Sequence, residues 1–165
     1  MKPDLVWLAA FAACALLAAK ARAQAVPTGG LTAEQAAEWV RGQGLKGQVL
    51  PDPTTPGDQI VRTSADGVNF DIYFYGCTPD PPPYHRCDSM QYAAGWTNDS
   101  GVTTDRLNEW NRENRFLRAY ISSKGSVFGE MDVDVTPGLD YSALNRSLDR
   151  WRSAIGKFRS SMGLQ

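Results

Sequence analysis

The residues that could carry chemistry in this chain are few. A single histidine, His85, sits in the run Pro81-Pro82-Pro83-Tyr84-His85-Arg86, between Cys77 and Cys87. A Ser-His-Asp or Cys-His site would have to use it, yet no Gly-x-Ser-x-Gly elbow accompanies it. In an oxidising compartment the two cysteines read as a disulfide, which removes both sulfurs as nucleophiles. Structural zinc takes four ligands, and one histidine with these two cysteines falls short of that set. The sequence therefore predicts no metal and no cofactor, and places His85 in a solvated loop.

Two further constellations stand out. Glu130, Asp132 and Asp134 share one face of a strand, with Phe128 beside them. Such carboxylates can hold calcium or divide acid and base work between them. Val127, Met131, Val133 and Val135 fill the other face, so alternation favours a solvated acidic face, with Arg118 on the adjoining strand in reach of one carboxylate. The second is Asn108-Glu109-Trp110-Asn111-Arg112 on one helical turn. It can serve as an interaction face with Trp110 as anchor, because Trp and Arg dominate binding hot spots. In the structural alternative Trp110 is buried and the asparagine amides bond the start of the next strand, which would compensate a poor interior helix former. Glu109 and Arg112, three apart, can pair across the helix surface. Tyr73, Tyr75 and Tyr84, with Trp96, could form a patch for a small molecule or glycan.

The elements that must position these residues follow from periodicity and punctuation. Lys2, an uncharged Leu/Ala-rich run from Leu5 to Ala19, and Ala21-Arg22-Ala23 have the form of an export signal cleaved between Ala23 and Gln24. The run is shorter than the roughly 20 apolar residues a membrane span needs. Phe11-Ala12-Ala13-Cys14 loosely resembles a lipobox, but the apolar run continues past Cys14. Residues 24–30 read as a short flexible tail, and 31–162 as a single domain. The chain carries 17 basic and 18 acidic residues, and the signal takes more basic than acidic ones with it. That balance argues against nucleic acid, which needs a basic surface. No later segment is apolar enough for stable membrane insertion, so the expectation is a soluble protein in the periplasm or fully secreted.

Within the domain, Thr32 and Gln35 form a capping box ahead of Ala33, Ala36, Ala37 and Val40, and Gly42 and Gly44 stop that helix. Residues 45–51 and 59–63 read as short strands. Ala65-Asp66-Gly67 turns into Val68–Gly76, where Val68, Phe70, Ile72 and Phe74 alternate with polar residues. Cys87–Trp96 returns with Met90, Tyr92, Ala94 and Trp96 on its apolar face. Extending both strands puts the two cysteines together on the face away from the core, at the base of one hairpin. Closing so short a loop stabilises by roughly 2–3 kcal/mol in the chain-entropy picture. A middle helix spans about 104–115, residues 116–122 and 126–135 form a hairpin across Lys124-Gly125, and Pro137-Gly138 breaks the chain. The last helix, about 140–162, carries Leu144, Leu148, Trp151, Ile155, Phe158 and Met162 on one stripe. Its polar face holds Arg146, Arg150, Arg152, Lys157 and Arg159, expected to be solvated. The class is α+β: an antiparallel sheet of five to six strands with three helices, in the order α-β-β-β-(β)-α-β-β-α.

Three stretches carry a family resemblance. Cys87-Asp88-Ser89-Met90-Gln91-Tyr92-Ala93-Ala94-Gly95-Trp96, Leu107-Asn108-Glu109-Trp110-Asn111-Arg112, and Arg115-Phe116-Leu117-Arg118-Ala119-Tyr120 followed by Glu130-Met131-Asp132 are similar to the YbjN-domain family, labelled bacterial sensory transduction regulators. The resemblance covers about residues 31–162. It implies a fold similar to type III secretion chaperones, commonly dimeric, and no enzymatic activity. The export signal and cysteine pair set this chain apart from cytoplasmic chaperones. Together these readings predict a non-enzymatic exported module that binds a protein or peptide, regulator or chaperone-like, as a homodimer. The alternatives are a small-molecule or glycan binder, or a hydrolase or calcium site at Glu130, Asp132 and Asp134.

Overall fold

The computed structural model describes residues 25–136 and 139–165. The export signal over 1–23, its cleavage point between Ala23 and Gln24, and the Pro137-Gly138 break lie outside the described residues. The elements run α1 (Ala33–Gly42), β1 (Gln48–Pro51), β2 (Gln59–Ala65), β3 (Val68–Cys77), β4 (Cys87–Trp96), α2 (Thr104–Glu113), β5 (Arg118–Ile121), β6 (Val127–Asp134) and α3 (Tyr141–Met162). The six strands form one antiparallel sheet in the order β1-β2-β3-β4-β6-β5. The α+β class and element order are those read from the sequence.

Local chemistry sets the boundaries. Thr32 and Gln35 make the reciprocal capping box, closing two orphan backbone donors at the start of α1. Between β2 and β3, Asp66 and Gly67 both have positive φ, 52° and 77°, the two-residue turn that matches strand twist. Thr103 caps α2, which stops at Glu113, two residues earlier than expected, because Asn114 already has extended φ/ψ.

The helices share one face of the sheet. All six residues of the α3 stripe are buried. Trp151 meets Phe70 of β3 and Tyr92 of β4 at ring-centroid distances of 5.5 and 5.6 Å. Phe158 meets Trp110 of α2 at 5.0 Å and Trp96 of β4 at 6.0 Å. Tyr92 carries the polar link, its hydroxyl 2.9 Å from Ser147 Oγ. Gly129 on β6 permits the approach, since a Cβ there would stand 3.0 Å from Ile155 Cδ1. Trp39 of α1 ties into the same layer by donating its indole N–H to Asn145 Oδ1 at 2.8 Å.

The segment expected as a flexible tail lies against the body from Ala25 onward. Val26 is buried and donates its N–H to the Leu139 carbonyl, and Leu31 forms a two-way backbone bridge with Cys87. Gly30 makes that bridge sterically feasible. Its φ is +94°, and a Cβ would fall 1.9 Å from the Cys87 carbonyl oxygen.

Candidate functional site: a Phe116 groove and a cysteine–histidine hairpin

Cys77 and Cys87 face each other across β3 and β4 and are joined as a disulfide. The expected shared outer face is half right. Cys77 is exposed, but Cys87 is fully buried, because the Gly30–Leu31 backbone runs along it. His85 departs further from expectation. It is 5% exposed, not a solvated loop residue, and its ring nitrogen lies with both sulfurs in a cluster whose ligand atoms are within 4.8 Å of one another. The loop that carries it is closed by Thr78 N–H to the Arg86 carbonyl and by Arg86 N–H to Thr78 Oγ1. Arg86 reaches back to the Gly30 carbonyl and to Gln35 Oε1.

The acidic face of β6 is not a cluster of free carboxylates. Glu130, expected to be solvated, is 8% exposed and accepts from Arg118 Nη2 and from the Tyr120 hydroxyl. Burial, then the Glu130 carboxylate, push the Tyr120 hydroxyl up to about 12. Asp132 accepts from Gln91 at 2.7 Å. Among the described residues no three carboxylates converge as a metal cluster. Across the outer sheet face, strand register lines up Arg62, Asp71, Ala93, Glu130 and Arg118 in one row, with an ion pair at each end. Tyr120 stacks on Phe128, which itself covers Gly95. Trp96 packs on Phe158 beneath the sheet, so it does not share the face of Tyr73 and Tyr75.

On α2, Trp110 is buried with Leu107, while Asn108, Glu109, Asn111 and Arg112 are exposed. Asn111 uses its whole amide on β5, donating to the Ala119 carbonyl and accepting from the Ala119 N–H, each at 2.9 Å. That pairing blunts the outer edge of β5, which would otherwise offer backbone groups to another chain. The structural alternative for this turn is therefore what Trp110 and Asn111 show.

Where α2 ends, the chain makes a feature that sequence reasoning missed. Phe116 has φ +75°, a left-handed conformation rare for an aromatic residue, and is 52% exposed. Arg115 and Arg150 place their guanidinium groups 4.9 and 5.2 Å from its ring centroid. Phe116 divides two hollows. One, of about 540 Å³, runs between α2 and α3 and is lined by Trp110, Phe116, Ala154 and Lys157 among others. The second, of about 480 Å³, continues toward Met131, Val133 and Leu139. Lys157 sits 5.7 Å over the Trp110 ring and donates to Asn114 Oδ1. The indole N–H of Trp110 has no acceptor among the described residues.

The basic face of α3 is spent largely on the protein itself. Arg152 makes a bidentate pair with Asp66, whose carboxyl is held below its ordinary range by that hydrogen bond. Arg159 donates to the Gly67 and Leu164 carbonyls, and Arg146 to Ser142. Arg150 and Lys157 are the two that border the groove.

An antiparallel sheet with its helices on one face, and an aromatic-centred groove between two of those helices, define a small α+β domain. The chain belongs to the YbjN family, whose model matches residues 32–163 and is described as "Putative bacterial sensory transduction regulator". No curated protein sequence and no solved structure matches the chain. No helix among the described residues is long and apolar enough to cross a membrane.

Proposed function

We propose that this chain is a non-enzymatic, exported protein-binding module with a regulatory or chaperone-like role, and that it docks a partner segment in the Phe116 groove. The observation that carries the reading is Phe116 itself: an exposed ring without a polar end, held at positive φ between two hollows. Left-handed backbone at a non-glycine residue costs on the order of 1–3 kcal/mol and tends to persist at functional positions. In the hollow between α2 and α3, Arg115, Arg150 and Lys157 outnumber Glu113 and Asp149, whereas the second hollow carries Asp132 and Asp134 with Arg150. The fitting occupant of the α2–α3 hollow is therefore a segment with a large apolar side chain flanked by carboxylates, the three cations there supplying register and on-rate. The regulator description of the family supports protein partners.

Within this proposal the exposed residues Asn108, Glu109 and Arg112 extend the docking face along α2, with Trp110 as its buried support. A homodimer and export to the periplasm or beyond belong to the same proposal. N-terminal sequencing of mature protein should begin at Gln24, and sedimentation equilibrium of the mature chain should show a dimer. The groove is tested by isothermal titration with a peptide carrying Leu or Phe between Asp residues. Binding that Phe116→Ser abolishes and Tyr84→Ser leaves intact supports the reading, and equal loss in both overturns it.

A further inference from the structure

We propose that the Cys77–His85–Cys87 cluster is a redox-gated site for a soft monovalent cation, copper(I), closed while the disulfide is formed and opened when a dithiol reduces it. Three independent features converge. The two sulfurs and a ring nitrogen of His85 are already within 4.8 Å of one another. Around a three-coordinate centre with bonds of about 2.0–2.3 Å, ligand atoms stand about 3.5–4 Å apart, so closure needs only small side-chain rotations once the S–S bond is gone. His85 is 5% exposed, and its ring nitrogens are not among the side-chain atoms buried without a partner, so the imidazole is largely buried yet still reached by solvent. A largely buried imidazole nitrogen beside two sulfurs is a ligand set that an electrophile can engage. Cys77 is exposed while Cys87 is fully buried, so a reductant has one sulfur to attack and the metal would sit shielded on its inner side.

The chemistry balances with a dithiol as reductant. One of its thiolates attacks Cys77 Sγ, the Cys77–Cys87 bond breaks, and the Cys87 sulfur leaves as thiolate and takes up a proton. The second thiol of the reductant then displaces Cys77, so two electrons and two protons pass to this chain and the reductant becomes a disulfide. Copper(I) next replaces the two thiol protons and takes neutral His85 as third ligand. Two thiolates and an imidazole suit this ion. Zinc prefers a fourth ligand, and among the described residues no carboxylate, cysteine or further histidine joins the cluster.

The hairpin should survive reduction, since β3 and β4 stay paired along Asp71–Tyr75 and Ser89–Ala93 and α3 packs on both. The test uses the full mature chain, oxidised and after reduction, titrated anaerobically with copper(I) against a chromophoric chelator, with circular dichroism recorded throughout. The expected result is one copper(I) per reduced chain, none per oxidised chain, and X-ray absorption showing two sulfurs and one nitrogen at the metal. His85→Gln should keep the fold and weaken binding by about tenfold or more, because even groups one shell removed from a metal cost that much. Four outcomes would each overturn the proposal: equal binding by the oxidised chain, unchanged affinity in His85→Gln, zinc bound as tightly as copper(I), or loss of the fold on reduction alone.

Discussion

Replacing Phe116 separates strain from packing. About half of Phe116 is covered; since full burial of a Phe is worth about 1.5–3 kcal/mol, the covered half contributes about 0.8–1.5 kcal/mol. The two guanidinium contacts add about 0.5–1 kcal/mol each at an exposed site. Phe116→Ala loses both contributions and keeps the positive φ, so it should destabilise by about 2–3.5 kcal/mol. Phe116→Gly loses the same contacts but relieves backbone strain of order 1–3 kcal/mol. The extra freedom of glycine in the unfolded chain takes back about 0.5–1 kcal/mol. The glycine variant should therefore be more stable than the alanine variant by about 1 kcal/mol, although glycine is ordinarily the weaker residue. Urea denaturation of the two variants, compared at equal m-value, measures the difference. Alanine equal to or better than glycine would refute the argument that Phe116 is kept at a conformational cost.

Other consequences follow from single contacts. Glu130→Gln should bring the Tyr120 hydroxyl down from about 12 toward its ordinary value, read by phenolate absorbance against pH. In the parent protein the raised Tyr120 value stabilises fully below pH 10, and that contribution should disappear as pH rises from about 10 through 12. Asp66 and Asp140 are both held below their ordinary values, by Arg152 and by Ser142 with the Ala143 N–H respectively, so their contributions are present above pH 3.8 and should vanish as acid takes the pH below it in a denaturation series. Thr32→Ala removes the capping box of α1 and should cost about 1 kcal/mol by thermal or urea unfolding. Gly30→Ala, at positive φ and against the Cys87 carbonyl, should cost about 2 kcal/mol or more and expose Leu31 amide hydrogens to rapid exchange.

The parts of this fold that local rules govern could be read in advance. The α3 stripe, the capping box, the Asp66-Gly67 turn and the cysteine pairing each depend on residues close in sequence or on strict alternation. What escaped reading depends on contacts between distant segments. His85 and Cys87 lie in a stretch whose burial comes with a backbone bridge from Leu31, more than fifty residues away. Glu130 alternates onto the outer face as its position demands, and its partner Arg118 was in reach from the sequence, but the Tyr120 hydroxyl that joins it from the neighbouring strand and the resulting burial were not. Arginines of α3 found partners on the β2–β3 turn, which no periodicity in either segment signals. Phe116 is the clearest case. The signal for a left-handed residue is normally glycine or asparagine, yet here Asn114 takes extended φ/ψ and Phe116 takes the positive φ, and it is the strain of an aromatic there that marks the site.

The docking claim is met most directly by photocrosslinking in living cells, with a photoreactive phenylalanine placed at position 116 and, as control, at position 84, where the native Tyr84 is more exposed at 74%. A discrete protein adduct from position 116, absent from position 84 and lost when Lys157→Glu and Arg150→Glu are introduced, is the predicted result. Identical adducts from both positions, or none from position 116, would contradict it.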